Sequence, residues 1–157
     1  MARILLPITL VIAILAALLS GWLLYRVAQE GTSKTPNYTD AQRDDAKKKI
    51  CATTDLVRKA VSLNTNLQPP GGPEDVTGTL AVAANARISL YDGGQYLLAR
   101  LDPATPTELS DAVKKFANLL MDIGAAATSG AQNSEPEQAA RLKEADETNR
   151  TIMDLCK

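Results

Sequence analysis

Residues 105–130 read TPTELSDAVKKFANLLMDIGAAATSG, and they carry the clearest helical pattern in the chain. The apolar residues in this stretch recur at spacings of three and four, which places them on one face of an α-helix. These residues are Leu109, Ala112, Val113, Phe116, Leu120, Ile123 and Ala127. Ser129-Gly130 is predicted to end the helix, because glycine suits the turn that follows a helix C-terminus. We therefore expect one face of this helix to be buried against other helices.

Capping signals precede this helix and the last helix of the chain. Each signal combines a hydroxyl residue at the cap, a proline in the first turn and an acidic residue that completes a capping box. The predicted residues are Thr105, Pro106 and Glu108 for one helix and Ser134, Pro136 and Glu137 for the other. The last helix carries its own stripe at spacings of three and four, made of Leu142, Ala145, Asn149, Ile152 and Cys156.

A long first helix is predicted to begin at Thr39 or Asp40 and to run to about Leu67. Two rows of residues at helical spacing would form the seam that faces partner helices. The rows are Ile50, Val57 and Asn64, and Thr53, Ala60 and Leu67.

A second helical region is predicted after residues 68–73. The sequence of these residues, QPPGGP, is incompatible with a helix. Its core residues would be Leu80, Ala84, Ile88, Tyr91, Leu98 and Leu101. Gly93-Gly94 interrupts this region, and each internal glycine costs about 1 kcal/mol relative to alanine. The region is therefore either one kinked helix or two short helices.

Four helical regions joined by short loops favour an all-α fold, an antiparallel bundle of about four helices. The composition agrees, since alanine is abundant and aromatic residues make up only 4% of the chain. Strand patterns with clear alternation are missing from the sequence.

An apolar run precedes this bundle, and residues 4–25 read ILLPITLVIAILAALLSGWLLY without a charge. A run of roughly 20 apolar residues is long enough to cross a bilayer as a helix. We therefore predict a transmembrane anchor over residues 1–28, a linker over 29–38 and an extracytoplasmic helical domain over 39–157. The alternatives are a cleaved signal peptide, for which the run is long, and a buried core helix, for which it lacks a polar face.

Small residues recur every fourth position along the predicted anchor, at Thr9, Ala13, Ala17 and Gly21. Small residues at this spacing let two membrane helices approach closely. We hypothesise that this stripe contacts a second membrane helix, from a partner or another copy of the chain. The alternative is that small residues are simply common in membrane helices.

The chain has two cysteines, Cys51 and Cys156, and both lie after the anchor. An even number of cysteines beyond an export signal favours a disulfide. In an antiparallel bundle both residues fall in the membrane-proximal half, so a bridge between them is geometrically possible. The disulfide and the short N-terminal flank favour a cytoplasmic N-terminus and an extracytoplasmic bundle in the plasma membrane.

The absence of histidine excludes histidine general bases, histidine-dependent triads and histidine metal ligands. The formal net charge of −1 argues against nucleic acid as a partner. Known catalytic motifs are also missing, so we predict that the protein is not an enzyme and holds neither a cofactor nor a metal.

The anchor, the alanine-rich helices and the cysteine pair within ICATTDLV and IMDLCK give the chain a resemblance to a known group. It resembles the small, single-pass, alanine-rich envelope proteins of actinobacteria, especially those of mycobacteria. The resemblance implies a cell-envelope location and assigns no activity to any residue.

Two functions follow as hypotheses. The first is an accessory or scaffold protein that binds other envelope components, in contact with the lipid bilayer and with a protein partner or its own copy. The second is a helical bundle that binds an apolar ligand or lipid, since alanines in the core can leave room between helices.

Overall fold

The computed structural model describes residues 15–26 and 37–157. The chain divides into two units, Met1–Asn37 and Tyr38–Lys157. In the first unit, residues 15–26 form a helix, α1. The second unit contains four helices, α2 (Asp40–Thr65), α3 (Val76–Arg100), α4 (Thr107–Thr128) and α5 (Pro136–Leu155). The described residues include no strand, so the predicted all-α helical fold is confirmed.

The predicted transmembrane anchor falls largely on residues 1–14, which lie outside the described residues, as does most of the predicted linker. Among the helices that are described, none is both long and apolar enough to span a membrane. The anchor and its orientation stay predictions.

The start of α2 confirms Thr39 as its cap. The Gln42 amide donates to Thr39 Oγ1 at 3.3 Å, and the Thr39 amide donates to Gln42 Oε1 at 2.9 Å. This reciprocal pair is a capping box, and it satisfies two backbone donors at the helix end.

The two other predicted capping boxes are wrong. Helix α4 begins one residue later than expected, with Pro106 as its cap, and the buried Thr105 Oγ1 has no hydrogen-bond partner in the described part. The reason is the preceding turn, where Asp102 Oδ1 accepts from the Ala104 amide at 2.7 Å and the Asp102 carbonyl accepts from Thr105 at 2.9 Å. These bonds turn Thr105 into the core instead of toward the helix end.

Helix α5 is capped by Glu135 and not by Ser134. The Glu135 carboxylate accepts from the Gln132 amide at 2.9 Å, which closes the turn before the helix. Pro136 is the first helical residue, as predicted. Its fixed φ suits that position, where the missing amide proton has no helical partner to lose.

The end of α4 confirms the predicted stop at Ser129-Gly130. Gly130 has a φ of +100°, its amide donates to the Ala127 carbonyl, and the Ala131 amide donates to the Ala126 carbonyl. This pair of bonds is a Schellman motif, which needs a left-handed residue after the helix.

Close contacts establish that neighbouring helices run antiparallel. Along α3, Gly94 lies against Ala117 of α4 and the earlier Arg87 lies against the later Gly124. Helices α4 and α5 show the same reversal: Lys115 pairs with Glu144 at 2.7 Å, whereas Ile123 accepts from the earlier Gln138 at 3.1 Å. Helix α2 packs on α3, α3 on α4, and α4 on α5.

Helix α4 supplies most of the hydrophobic core, and its predicted stripe is confirmed. The buried members of that stripe are Leu109, Val113, Phe116, Leu120 and Ile123. From the other helices the core receives Ile50 and Val57 of α2, Leu90 and Leu97 of α3, and Ala145 and Ile152 of α5. In α2 the buried threonine is Thr54, one residue from the predicted Thr53, and Leu67 is exposed.

Helix α3 continues through Gly93-Gly94, so this region is one helix and not two short helices. Its buried face is Leu90, Gly94 and Leu97. The predicted core face of Leu80, Ile88 and Tyr91 is wrong, because these side chains are 65%, 56% and 50% exposed. A different face of α3 is buried because α4 approaches it closely at Gly94, where a Cβ atom would lie 2.5 Å from the Ala117 carbonyl oxygen.

We expect Gly94→Ala to destabilise the bundle by up to about 2 kcal/mol, since overpacking costs about 1–3 kcal/mol and the gain in helix propensity offsets about 1 kcal/mol of it. Gly93→Ala is the matched control, because the atoms nearest its Cβ would be side-chain methyl groups of Val57, Val61 and Leu120, at 2.9, 3.5 and 3.9 Å, and not backbone. Denaturation followed by circular dichroism measures both variants. A Gly94→Ala variant as stable as the native chain would contradict this account of the α3–α4 contact.

Candidate functional site: a groove between α2 and α5

A groove separates α2 from α5, because the sequential packing of the helices leaves these two without a packed interface of their own. Helices α3 and α4 form its floor. The groove encloses about 1050 Å³, which is at the upper end of the roughly 300–1,000 Å³ typical of small-molecule sites.

A disulfide closes one end of the groove. Cys51 in the first half of α2 and Cys156 at the end of α5 have their Cα atoms 5.8 Å apart and their sulfur atoms at bonding distance. The predicted pairing of these cysteines is confirmed. Ile50 and Ile152, each next to this region, are completely or almost completely buried, so the bundle is well packed here.

The opposite end of the groove is loosely packed. Helix α2 has no buried residue after Val57, and α3 has none before Leu90. These halves of the two helices meet at the loop over residues 68–73. Helices α2 and α5, the walls of the groove, therefore converge at the disulfide. Toward that loop the bundle is less tightly packed.

The floor of the groove is apolar. Phe116, Leu120 and Ile123 of α4 form its centre, and Leu90 of α3 and Ala145 of α5 extend it to both sides. Alanines widen the space, because a methyl group fills little of the distance between helices. The alanines that line the groove are Ala83, Ala86, Ala127, Ala131 and Ala145.

Charged side chains surround this floor. Arg58 and Lys59 of α2 and Arg87 of α3 line the groove with Asp55 and Asp146. Arg58 pairs with Asp55 at 2.8 Å. Within the described part of the chain, Lys59, Arg87 and Asp146 form no salt bridge. The α2–α3 wall is therefore basic, and its unpaired cations are available to a ligand.

Asn149 adds an unpartnered polar group on the α5 wall. Its side chain is half-buried and lines the groove, and its Oδ1 is shielded from solvent without a hydrogen-bond donor among the described residues. A shielded polar atom without a partner is costly in a folded protein. A ligand in the groove would be able to satisfy this amide.

The part of the chain that the structure describes has no group of three or more residues able to hold a metal ion. The one resolved pKa shift lies at Lys49, outside the groove, where a hydrogen bond and the charge of Asp45 raise the pKa of this exposed amine. The arrangement is suited to binding.

The other predicted contact surface, the stripe of small residues along the predicted anchor, is only partly described by the structure. Thr9 and Ala13 fall outside the described residues, whereas Ala17 and Gly21 are exposed on α1. The predicted contact therefore stays a prediction. Sequence reasoning named Asn149 only as part of a helical stripe and did not identify the groove, although the abundance of alanine was a signal for it.

Comparison of the chain with protein-family models, with curated proteins and with solved structures found no match. The case for function therefore comes from the geometry of the groove.

We expect replacement of both cysteines by serine to lower the melting temperature by more than about 10 °C, because the bond closes a long loop and such a loop contributes roughly 4–5 kcal/mol in the chain-entropy model. Thermal melting of the oxidised native chain and the variant measures the effect. The control is reductant, which should lower the melting temperature of the native chain and leave that of the variant unchanged. Equal melting of the oxidised native chain and the variant would show that the disulfide does not support the bundle.

Proposed function

We propose that this protein is a helical binding module that holds an apolar ligand with an extended chain in the groove between α2 and α5. The observation that carries this proposal is the groove itself, whose innermost lining is made by the apolar core side chains of Leu90, Phe116, Leu120 and Ile123. A ligand gains about 25 cal/mol for each Å² of apolar surface that it covers.

The dimensions of the groove support an extended ligand. Along α2 its lining residues run from Asp55 to Thr65, a distance of roughly 15 Å at the helical rise. This is the length of an extended dodecyl chain. The predicted anchor and envelope location would give the protein access to such molecules.

A second function, scaffolding of other envelope proteins, is favoured by a separate surface on α3. Val76, Leu80, Ile88 and Tyr91 lie at helical spacing, and their side chains are between 50% and 71% exposed. An exposed apolar stripe of this kind is typical of a surface that contacts a partner.

For the scaffold function we expect Leu80→Glu with Ile88→Glu to remove a copurifying protein without changing the melting temperature, because both side chains are exposed. Purification in mild detergent followed by mass spectrometry measures this loss. Glutamate at the neighbouring exposed positions Ala81 and Asn85, which adds the same two negative charges, is the control. The same set of proteins with both variants would contradict a role for the stripe.

For the ligand-binding function we expect Ala83→Trp to block the groove, because Ala83 is half-buried and lines it. Ala84→Trp is the control, since Ala84 is exposed and does not line the groove. The probe is dodecanol with a photoreactive diazirine at the end of the chain, added to full-length protein in nanodiscs of a zwitterionic phospholipid.

The readout is labelling of the tryptic peptide over residues 116–141, which carries Phe116, Leu120 and Ile123. We expect this peptide to be labelled in the native protein and in Ala84→Trp, and its labelling to fall about tenfold in Ala83→Trp, as for a loss of about 1.4 kcal/mol in binding. Absence of labelling in the native protein would reject the proposed function.

A further inference from the structure

We propose that the groove selects a single-chain amphiphile with an anionic head, and that Arg58 and Asn149 contact this head from opposite walls. The inference rests on the proposed function, because it names the chemical class of ligand that the same groove would hold.

Arg58 and Asn149 lie at the same distance from the disulfide along their helices, and we call this the same height in the groove. Arg58 follows Cys51 by seven residues, Asn149 precedes Cys156 by seven, and α2 leaves the disulfide while α5 arrives at it. Seven residues are about two helical turns, so both residues lie about 10 Å from the disulfide along the groove. A ligand head at this height would have a guanidinium on one side and a carboxamide on the other.

Both groups have hydrogen-bonding capacity left for a ligand. One Arg58 nitrogen, Nη1, donates to Asp55, and a guanidinium has five N–H donors in all. Among the described residues the Asn149 amide makes no hydrogen bond, and its nitrogen, unlike Oδ1, is not shielded from solvent, so its two N–H donors are open to a ligand. Convergent N–H donors of this kind are suited to a carboxylate.

The local charge also favours an anion. Lys59, next to Arg58, lines the same wall and forms no salt bridge in the described part, whereas the one acid beside them, Asp55, is paired with Arg58. On the α5 wall the exposed Asp146 lies one turn from Asn149, and Lys59 is exposed as well, so solvent screens both charges. Of the charged residues that line the groove, three are basic and two are acidic, so the lining favours an anionic head over a cationic one.

The position of the head determines how the apolar chain of the ligand runs along the groove. Beyond Arg58 and Asn149 the floor continues through Leu120, Leu90 and Ile123 toward the loosely packed end of the bundle. The apolar chain would cover these side chains while the head stays at the half-exposed rim. This placement separates the polar and the apolar parts of one ligand along one groove.

The test compares three diazirine probes of equal chain length, dodecanoate, dodecanol and dodecylamine, on full-length protein in zwitterionic nanodiscs. The variant is Arg58→Gln with Lys59→Gln. Its matched control is Lys47→Gln with Lys48→Gln, a second adjacent pair of basic residues on α2, which is exposed or half-buried and does not line the groove. Labelling of the peptide over residues 116–141 is compared between the two proteins for each probe, so different partition of the probes into lipid cancels.

We expect dodecanoate labelling to be about tenfold weaker in the groove variant than in the control, as for the loss of one hydrogen bond to a charged group. Dodecanol labelling should be equal in the two proteins. Equal dodecanoate labelling in the two proteins, or a loss of dodecylamine labelling in the groove variant as large as the loss of dodecanoate labelling, would overturn the anionic head and leave the proposed function in place. Absence of labelling by all three probes would reject the proposed function itself.

Arg58→Lys is a further variant that retains the positive charge. Its dodecanoate labelling should equal that of the control even if the double glutamine variant melts at a lower temperature than the control. Loss of dodecanoate labelling in a stable Arg58→Lys protein would show that charge at this position does not select the ligand. Asn149→Leu should weaken dodecanoate labelling without weakening dodecanol labelling, and an equal loss for both probes would contradict contact between the amide and the head.

Discussion

The Cys51–Cys156 disulfide is the constraint on which the arrangement of the bundle depends. Each helix packs on the next one in the chain, so the first and last helices of the bundle would otherwise share few contacts. The disulfide joins these two helices across 105 residues of sequence. It brings α2 and α5 together at one end, and the space between them beyond that point is the groove.

The floor of this groove depends on a second constraint, the close approach of α3 and α4. Gly94 lies against the Ala117 backbone, and Gly124 lies against the backbone of α3 at Arg87. Side chains larger than hydrogen at these glycines would push the helices apart. Because the two helices meet here through their backbones, the larger residues Leu90, Phe116 and Leu120 are left to face α2 and α5.

Packing density changes along the axis of the bundle. Ile50, Leu97 and Ile152 are fully or almost fully buried near the disulfide, whereas Leu63, Val76 and Leu80 are exposed at the opposite end. Regions with few buried contacts open at low free-energy cost, and ligand-binding elements are commonly drawn from them. The bundle thus combines a rigid end, which fixes the distance between the walls, with a loosely packed end through which a chain-like molecule would enter.

The sequence by itself determined the helices of the bundle, the stripe of α4, the cap at Thr39, the stop at Gly130 and the cysteine pair. These features follow from residues close together in the chain, from a 3.6-residue period, or from the small number of cysteines that can pair. The tertiary structure alone decided which face of α3 is buried, because Gly94 packs only where the α4 backbone comes near enough to exclude a side chain. It also decided that Asp102 and Glu135 stabilise turns where capping boxes were expected at Thr105 and Ser134. The tertiary structure alone also decided the groove, since it is the space left between two helices that are far apart in sequence and joined only at the disulfide.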